Sequence, residues 1–182
     1  RKDVVDYVLN PDENTNTVFS YDQTGNLISS VTKEGIVKGS GNILSETFYK
    51  KIGRKDVVDW VKSSEDLTNT VFTYDSTGNI QSSSTYEGLV KGTGVLLSQT
   101  FYKKIGRKDV VDYVLNPDEN TNTVFTYDAT GNLISSVTKE GVIKGSGNIL
   151  SETFYKKIGR KDVVDWVKSS ERSEERRVGK EC

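Results

Sequence analysis

The chain has 182 residues and a formal net charge of −1, and 34% of it is hydrophobic, with two Pro, one Cys and neither Met nor His. Charges of both signs are interspersed, so the sequence offers no clustered positive field for nucleic acid or an anionic membrane. No apolar run approaches the ~20 residues of a membrane-crossing helix, and the N-terminus lacks the order of a signal peptide.

The start at Arg1 and the lack of Met suggest an interior piece of a longer product. Self-similarity is the strongest feature. RKDVVDYVLN at Arg1 returns as RKDVVDWVKS at Arg54, RKDVVDYVLN at Arg107 and RKDVVDWVKS at Arg160, a period of 53 residues. The first and third copies are nearly identical, and the second differs from them at many positions. The organisation is therefore an A-type repeat at 1–53, a B-type repeat at 54–106, an A-type repeat at 107–159 and a truncated B-type repeat at 160–171. Residues 172–182, RSEERRVGKEC, resemble the conceptual translation of a sequencing adapter whose opening AGATCGGAAGAGC encodes Arg-Ser-Glu-Glu-Arg, so they are expected to be non-native. Without that tail the chain has no Cys, which removes disulfides and thiol chemistry, and the missing His removes the usual zinc ligands.

Each repeat carries strand and turn signals with no sustained helical period. DVVDYVLN is rich in β-branched residues, and alternation puts Val5, Tyr7 and Leu9 on one face with Val4, Asp6 and Val8 on the other. NPDEN then supplies a turn, with Pro11 suited to its second position. TNTVFSYD is the second strand, with Thr15, Thr17, Phe19 and Tyr21 on one face. In YDQTGNLIS the Asp can accept backbone hydrogen bonds, and the Gly three residues later can take the positive φ of a hairpin bulge. The third strand, NLISSVTKE, folds back on the second, with Leu27, Ser29 and Val31 on one face. Ile28, replaced by Gln81 in the B-type repeat, is expected to face solvent. KGSGN is expected to be a flexible turn or bulge; it lacks the helix and the Lys-Ser/Thr ending of a phosphate cradle. NILSETFYKKI makes the long closing strand, and KIGRKD turns into the next copy. A lone unit has open edges and half a face to bury, so neighbouring copies are expected to pair edges and share an apolar face.

The expected fold class is all-β: tandem antiparallel hairpins or meanders forming an extended curved sheet or open β-spiral. At the turn the sequence resembles the YD (tyrosine-aspartate) repeats of RHS-type bacterial proteins and teneurin-like surface proteins. The matching residues are Tyr21, Asp22, Gly25 and Leu27, then Tyr74, Asp75, Gly78 and Ile80, then Tyr127, Asp128, Gly131 and Leu133. The resemblance implies β-hairpins winding into a shell, which encloses a toxic C-terminal segment in polymorphic toxins and is an adhesion scaffold in the animal proteins. It further implies a secreted or cell-surface location.

Carboxylates that recur once per repeat, such as Asp6, Asp22 and Glu34, fit turn and edge structure better than a catalytic pair, because an active site is built once from different elements. PDENTN and YDQTGN carry oxygens but lack the spacing of a calcium loop. Tyr7, Trp60, Tyr113 and Trp166 recur at one strand position; they form either a repeated core position or a ladder for stacking sugars. The mixed cations and aromatics of FYKKIGRKD are balanced by nearby Asp residues, which argues against nucleic acid. The functional expectation is a structural or adhesive segment without catalysis or cofactor. Its partners are the neighbouring repeats, with a surface glycan or protein as a candidate ligand. A carbohydrate-binding module and the casing of a polymorphic toxin are the alternatives.

Overall fold

The computed structural model describes residues 3–170. The tail expected to be non-native, 172–182, lies outside the described residues. Among those described there are thirteen β-strands and no helix. They are β1 (Tyr7–Asn10), β2 (Thr15–Tyr21), β3 (Leu27–Glu34), β4 (Ile43–Ile52), β5 (Lys55–Ser63), β6 (Thr68–Tyr74), β7 (Ile80–Glu87), β8 (Leu96–Ile105), β9 (Lys108–Asn116), β10 (Thr121–Tyr127), β11 (Leu133–Glu140), β12 (Ile149–Ile158) and β13 (Lys161–Ser169). Within β1 to β7 and within β8 to β13, sheet order follows chain order. The fold is all-β, an open antiparallel meander with four strands in each 53-residue repeat.

The chain divides into two compact units, with the boundary at the start of β8. The first contains β1 to β7 and the second β8 to β13, and the same registers recur in each. The longest ladders join the closing strand of one repeat to the opening strand of the next, as in β4 and β5 from Ile52↔Lys55 to Ser45↔Ser63. That hairpin turns through two residues, and Gly53 at φ 61° supplies the left-handed first position of a tight turn.

Three bulges in each A-type repeat interrupt the regular alternation. Between β2 and β3, Ser20 opposes Ser29 and Tyr21 opposes Leu27, so Ile28 is the extra residue; it is 45% exposed, in line with its sequence reading. The second lies at Thr32/Lys33, between β3 and β4. The third corrects an expectation. Phe48 opposes Trp60 whereas Tyr49 opposes Val58, so Asp59 is the extra residue and Val58 and Trp60 fall on opposite faces. The simple alternation that places Val5 with Tyr7 therefore does not hold for the equivalent pair in β5.

The shared apolar face is also corrected. Among the described residues no hydrophobic side chain is buried, and the fully buried side chains are Asn16, Asn69 and Asn122. A single sheet has no second layer to cover it, so Val, Phe and Tyr side chains are shielded by cross-strand neighbours and no further. Polar pairs share this role: Thr17 and Thr32 hydroxyls meet at 3.0 Å, as do Thr70 and Thr85 at 2.9 Å and Thr123 and Thr138 at 2.9 Å.

Candidate functional site

Three side-chain clusters recur. The first is the Tyr-Asp turn. Asp22 Oδ1 accepts the backbone N–H of Thr24 at 2.8 Å and of Asn26 at 2.9 Å, together with the Thr24 hydroxyl at 2.7 Å, and Oδ2 accepts the Asn26 amide at 2.8 Å. Gly25, at φ 81°, donates its N–H to the Asp22 carbonyl at 3.0 Å. Asp75 and Asp128 are bonded the same way. Hydrogen bonds from the backbone and side chain of the Asn, then from the Thr hydroxyl, hold all three carboxyls far below the usual carboxylate range. The tyrosine has a separate task. Tyr21 donates its hydroxyl to the Val5 carbonyl at 2.7 Å and Tyr74 to that of Val58 at 2.8 Å, beyond the last paired residues of their hairpins. One residue closes the splayed hairpin end and the next builds the turn.

The second cluster was not foreseen as a site. The Asn16 amide donates to the carbonyls of Gly35 at 2.8 Å and Ser40 at 3.1 Å, and its oxygen accepts the Gly39 N–H at 2.8 Å. Asn69 and Asn122 make the same bonds to Gly88, Thr93 and Gly92 and to Gly141, Ser146 and Gly145. The segment expected to be flexible is thus a bonded loop closed on a buried peg. Its second glycine has no substitute: a Cβ on Gly41 would lie 1.9 Å from the Glu34 carbonyl oxygen. The signal was present in the sequence, in a polar Asn repeated inside TNTVF and in the paired glycines that follow the next strand.

The third cluster surrounds the recurring aromatic position. Phe48 stacks on Trp60 with centroids 4.3 Å apart, Phe101 on Tyr113 at 4.3 Å and Phe154 on Trp166 at 4.2 Å. The loop held by the asparagine delivers a lysine to the same place: Lys38 lies 4.8 Å from the Tyr7 ring centre and Lys144 lies 4.4 Å from that of Tyr113. Lys50 at 2.8 Å and Lys91 both pair with Asp59, and Lys103 at 2.8 Å and Lys144 both pair with Asp112. Partial burial raises the Asp59 and Asp112 carboxyls, but hydrogen bonds from the two lysines outweigh it and leave each below its ordinary value. Trp60 and Tyr113, on strands paired on both sides, are half-buried, whereas Tyr7 and Trp166, on the first and last strands, are 44% and 49% exposed. Tyr113 is covered by Phe101 and approached by Lys144, which uses ring surface that a sugar would need.

No group of three or more His, Cys, Asp or Glu side chains is gathered among the described residues. No helix there is long and apolar enough to cross a membrane.

No family model and no curated protein matches this sequence. Among solved structures the chain is similar to a part of the TcdB2-TccC3-Cdc42 crystal structure, with 16% identity and a TM-score of 0.34 over 84% of this chain and 9% of that one. It is also similar to a protein with unknown function from Bacteroides fragilis, with 12% identity and a TM-score of 0.18 over 88% of this chain and 96% of that one. The chain spans less than a tenth of the first of these. At such scores neither likeness bears on ligand or activity.

Proposed function

We propose that this chain is a structural segment of a secreted or cell-surface bacterial protein of YD-repeat type, with a scaffolding or adhesive role and no catalysis of its own. The observation that carries this reading is the use made of the polar side chains. Each turn carboxylate, the strongest nominal candidate for chemistry, accepts four hydrogen bonds from its own turn and is committed to building it. A general acid or base needs a pKa near the working pH, and these carboxyls are displaced in the opposite direction. The lysines of the closing strand are likewise committed to ion pairs with the next opening strand.

A carbohydrate-binding reading draws on one observation, the exposure of Trp166 at 49%. Both readings are tested on a glycan array with the full chain and its Trp60→Ala and Trp166→Ala variants. The scaffold reading predicts no glycan signal for any of the three and a lower melting temperature for Trp60→Ala, whose partner Phe48 loses its stack. Saturable glycan binding that vanishes in both variants overturns it in favour of a lectin-like module.

A further inference from the structure

The ladders within each compact unit are unequal in length. β4 and β5 share eight residue pairs and β6 and β7 share seven, whereas β5 and β6 share four. The second unit repeats the pattern, with seven between β10 and β11, eight between β12 and β13, and four between β9 and β10. β3 and β4 share five, but the loop joining them is also bonded to Asn16 on β2. The short ladder has its cause in the extra residue of the opening strand. A bulge bends the strand that carries it, and the register of β5 with β6 stops beside Asp59, at Trp60↔Val71. In β9 the extra residue is Asp112, and the last pair with β10 is Tyr113↔Val124.

Side chains bridge the seam where the ladder stops. Between β5 and β6, Tyr74 donates its hydroxyl to the Val58 carbonyl at 2.8 Å, and Lys55 donates to the Thr77 carbonyl at 3.4 Å. Two lysines converge on Asp59 from opposite sides. Lys50 arrives from β4 at 2.8 Å and also donates to the Phe72 carbonyl of β6 at 3.4 Å. Lys91 arrives from the loop after β7, which Asn69 fixes to β6, so it straps the β6 side onto the bulged carboxylate of β5. Lys103 and Lys144 meet at Asp112 in the same way. The Lys91 and Asp59 side chains are 42% and 20% exposed, so this tie is open to screening by salt, as a backbone ladder is not.

We propose that the seams β5/β6 and β9/β10 are hinges that open and reclose at a lower free energy than global unfolding, with Lys91 on Asp59 and Lys144 on Asp112 as their ionic latches. Local opening of this kind follows the weakest backbone pairing. The blocks that stay closed are β2 to β5 and β10 to β13, each out of phase with the 53-residue sequence repeat. The bulge serves the hinge twice: it ends the ladder, and it places the carboxylate that the strap takes hold of. The proposal does not depend on the scaffold reading.

The test is residue-resolved amide exchange on the full chain under native conditions. Alternate amides of β6 point to β5 and to β7, so one strand carries both the seam and its internal reference. After correction for intrinsic rates, the β5-facing amides are expected to exchange faster than the β7-facing ones. Raising NaCl to about 0.5 M is expected to speed the β5-facing set roughly two- to fivefold and leave the reference unchanged. Asp59→Asn, which removes the charge that both lysines hold, is expected to speed the β5-facing set roughly tenfold relative to the reference, and Lys91→Gln by less. A single rate for both sets in the wild-type chain overturns the proposal. So does a β5-facing set that neither salt nor either variant speeds relative to the reference.

Discussion

A buried asparagine is an unusual centre for a repeat, and its bonding explains why it is tolerated. Asn69 is fully buried, yet both of its amide hydrogens and its oxygen are used by one loop. Asn69→Ala leaves two carbonyls and one N–H without partners, so it is expected to cost about 2–4 kcal/mol, read as a lower denaturant midpoint at unchanged slope. Asn69→Asp is expected to be at least as damaging, because a carboxylate cannot donate to Gly88 and Thr93 and is buried with its charge. A variant with wild-type stability would show that the loop holds itself. Leu67 offers the opposite case. It sits at φ 53°, where the A-type repeats have Asn14 and Asn120 at φ 51°. Left-handed backbone is disfavoured for Leu and tolerated by Asn, so Leu67→Asn is expected to stabilise the chain by about 0.5–1.5 kcal/mol, seen as a raised midpoint. The recurrence of Asn at this position could be read from the sequence. Its reason could not, because composition does not reveal the sign of φ.

At the scale of the element, the Tyr-Asp turn joins a hairpin lock to a turn builder, and its pH dependence follows from the depressed carboxyl. The folded pKa of Asp75 lies below the unfolded value of about 3.9. The turn's contribution to stability is therefore complete above that value and lost progressively as the pH falls from it toward the folded value. Stability measured by denaturant between pH 6 and pH 2 is expected to fall below about pH 4, and Asp75→Asn is expected to lower stability at pH 6 while flattening part of that fall. A parallel pH profile for the variant would contradict this account. The element boundaries were legible in the sequence because β-branched runs and Gly-marked turns repeat with a fixed period. Bulges were not. An inserted residue such as Asp59 leaves composition unchanged and alters only pairing, which becomes visible when Phe48 and Tyr49 are set against Trp60 and Val58.

For the whole molecule, the apolar count in the sequence pointed to a buried face, and the structure has none among its described residues. Apolar content in Val, Phe and Tyr is compatible with a single layer when each side chain is shielded laterally, and nothing in the residue types distinguishes lateral shielding from a second layer. Stability then comes from contacts between adjacent strands, many of which cross a repeat boundary: the Phe48–Trp60 stack, Lys50 with Asp59, and Lys62 with Glu46. Such an array gains stability with each neighbour added. Residues 54–106 cut out alone lose Phe48, Lys50 and Ile52 from one side, together with their ladder. The direct measurement is thermal unfolding of that excised repeat beside the full chain under identical conditions. The account predicts a broad, weakly cooperative transition at a much lower temperature for the single repeat; a sharp transition at the midpoint of the full chain would contradict it.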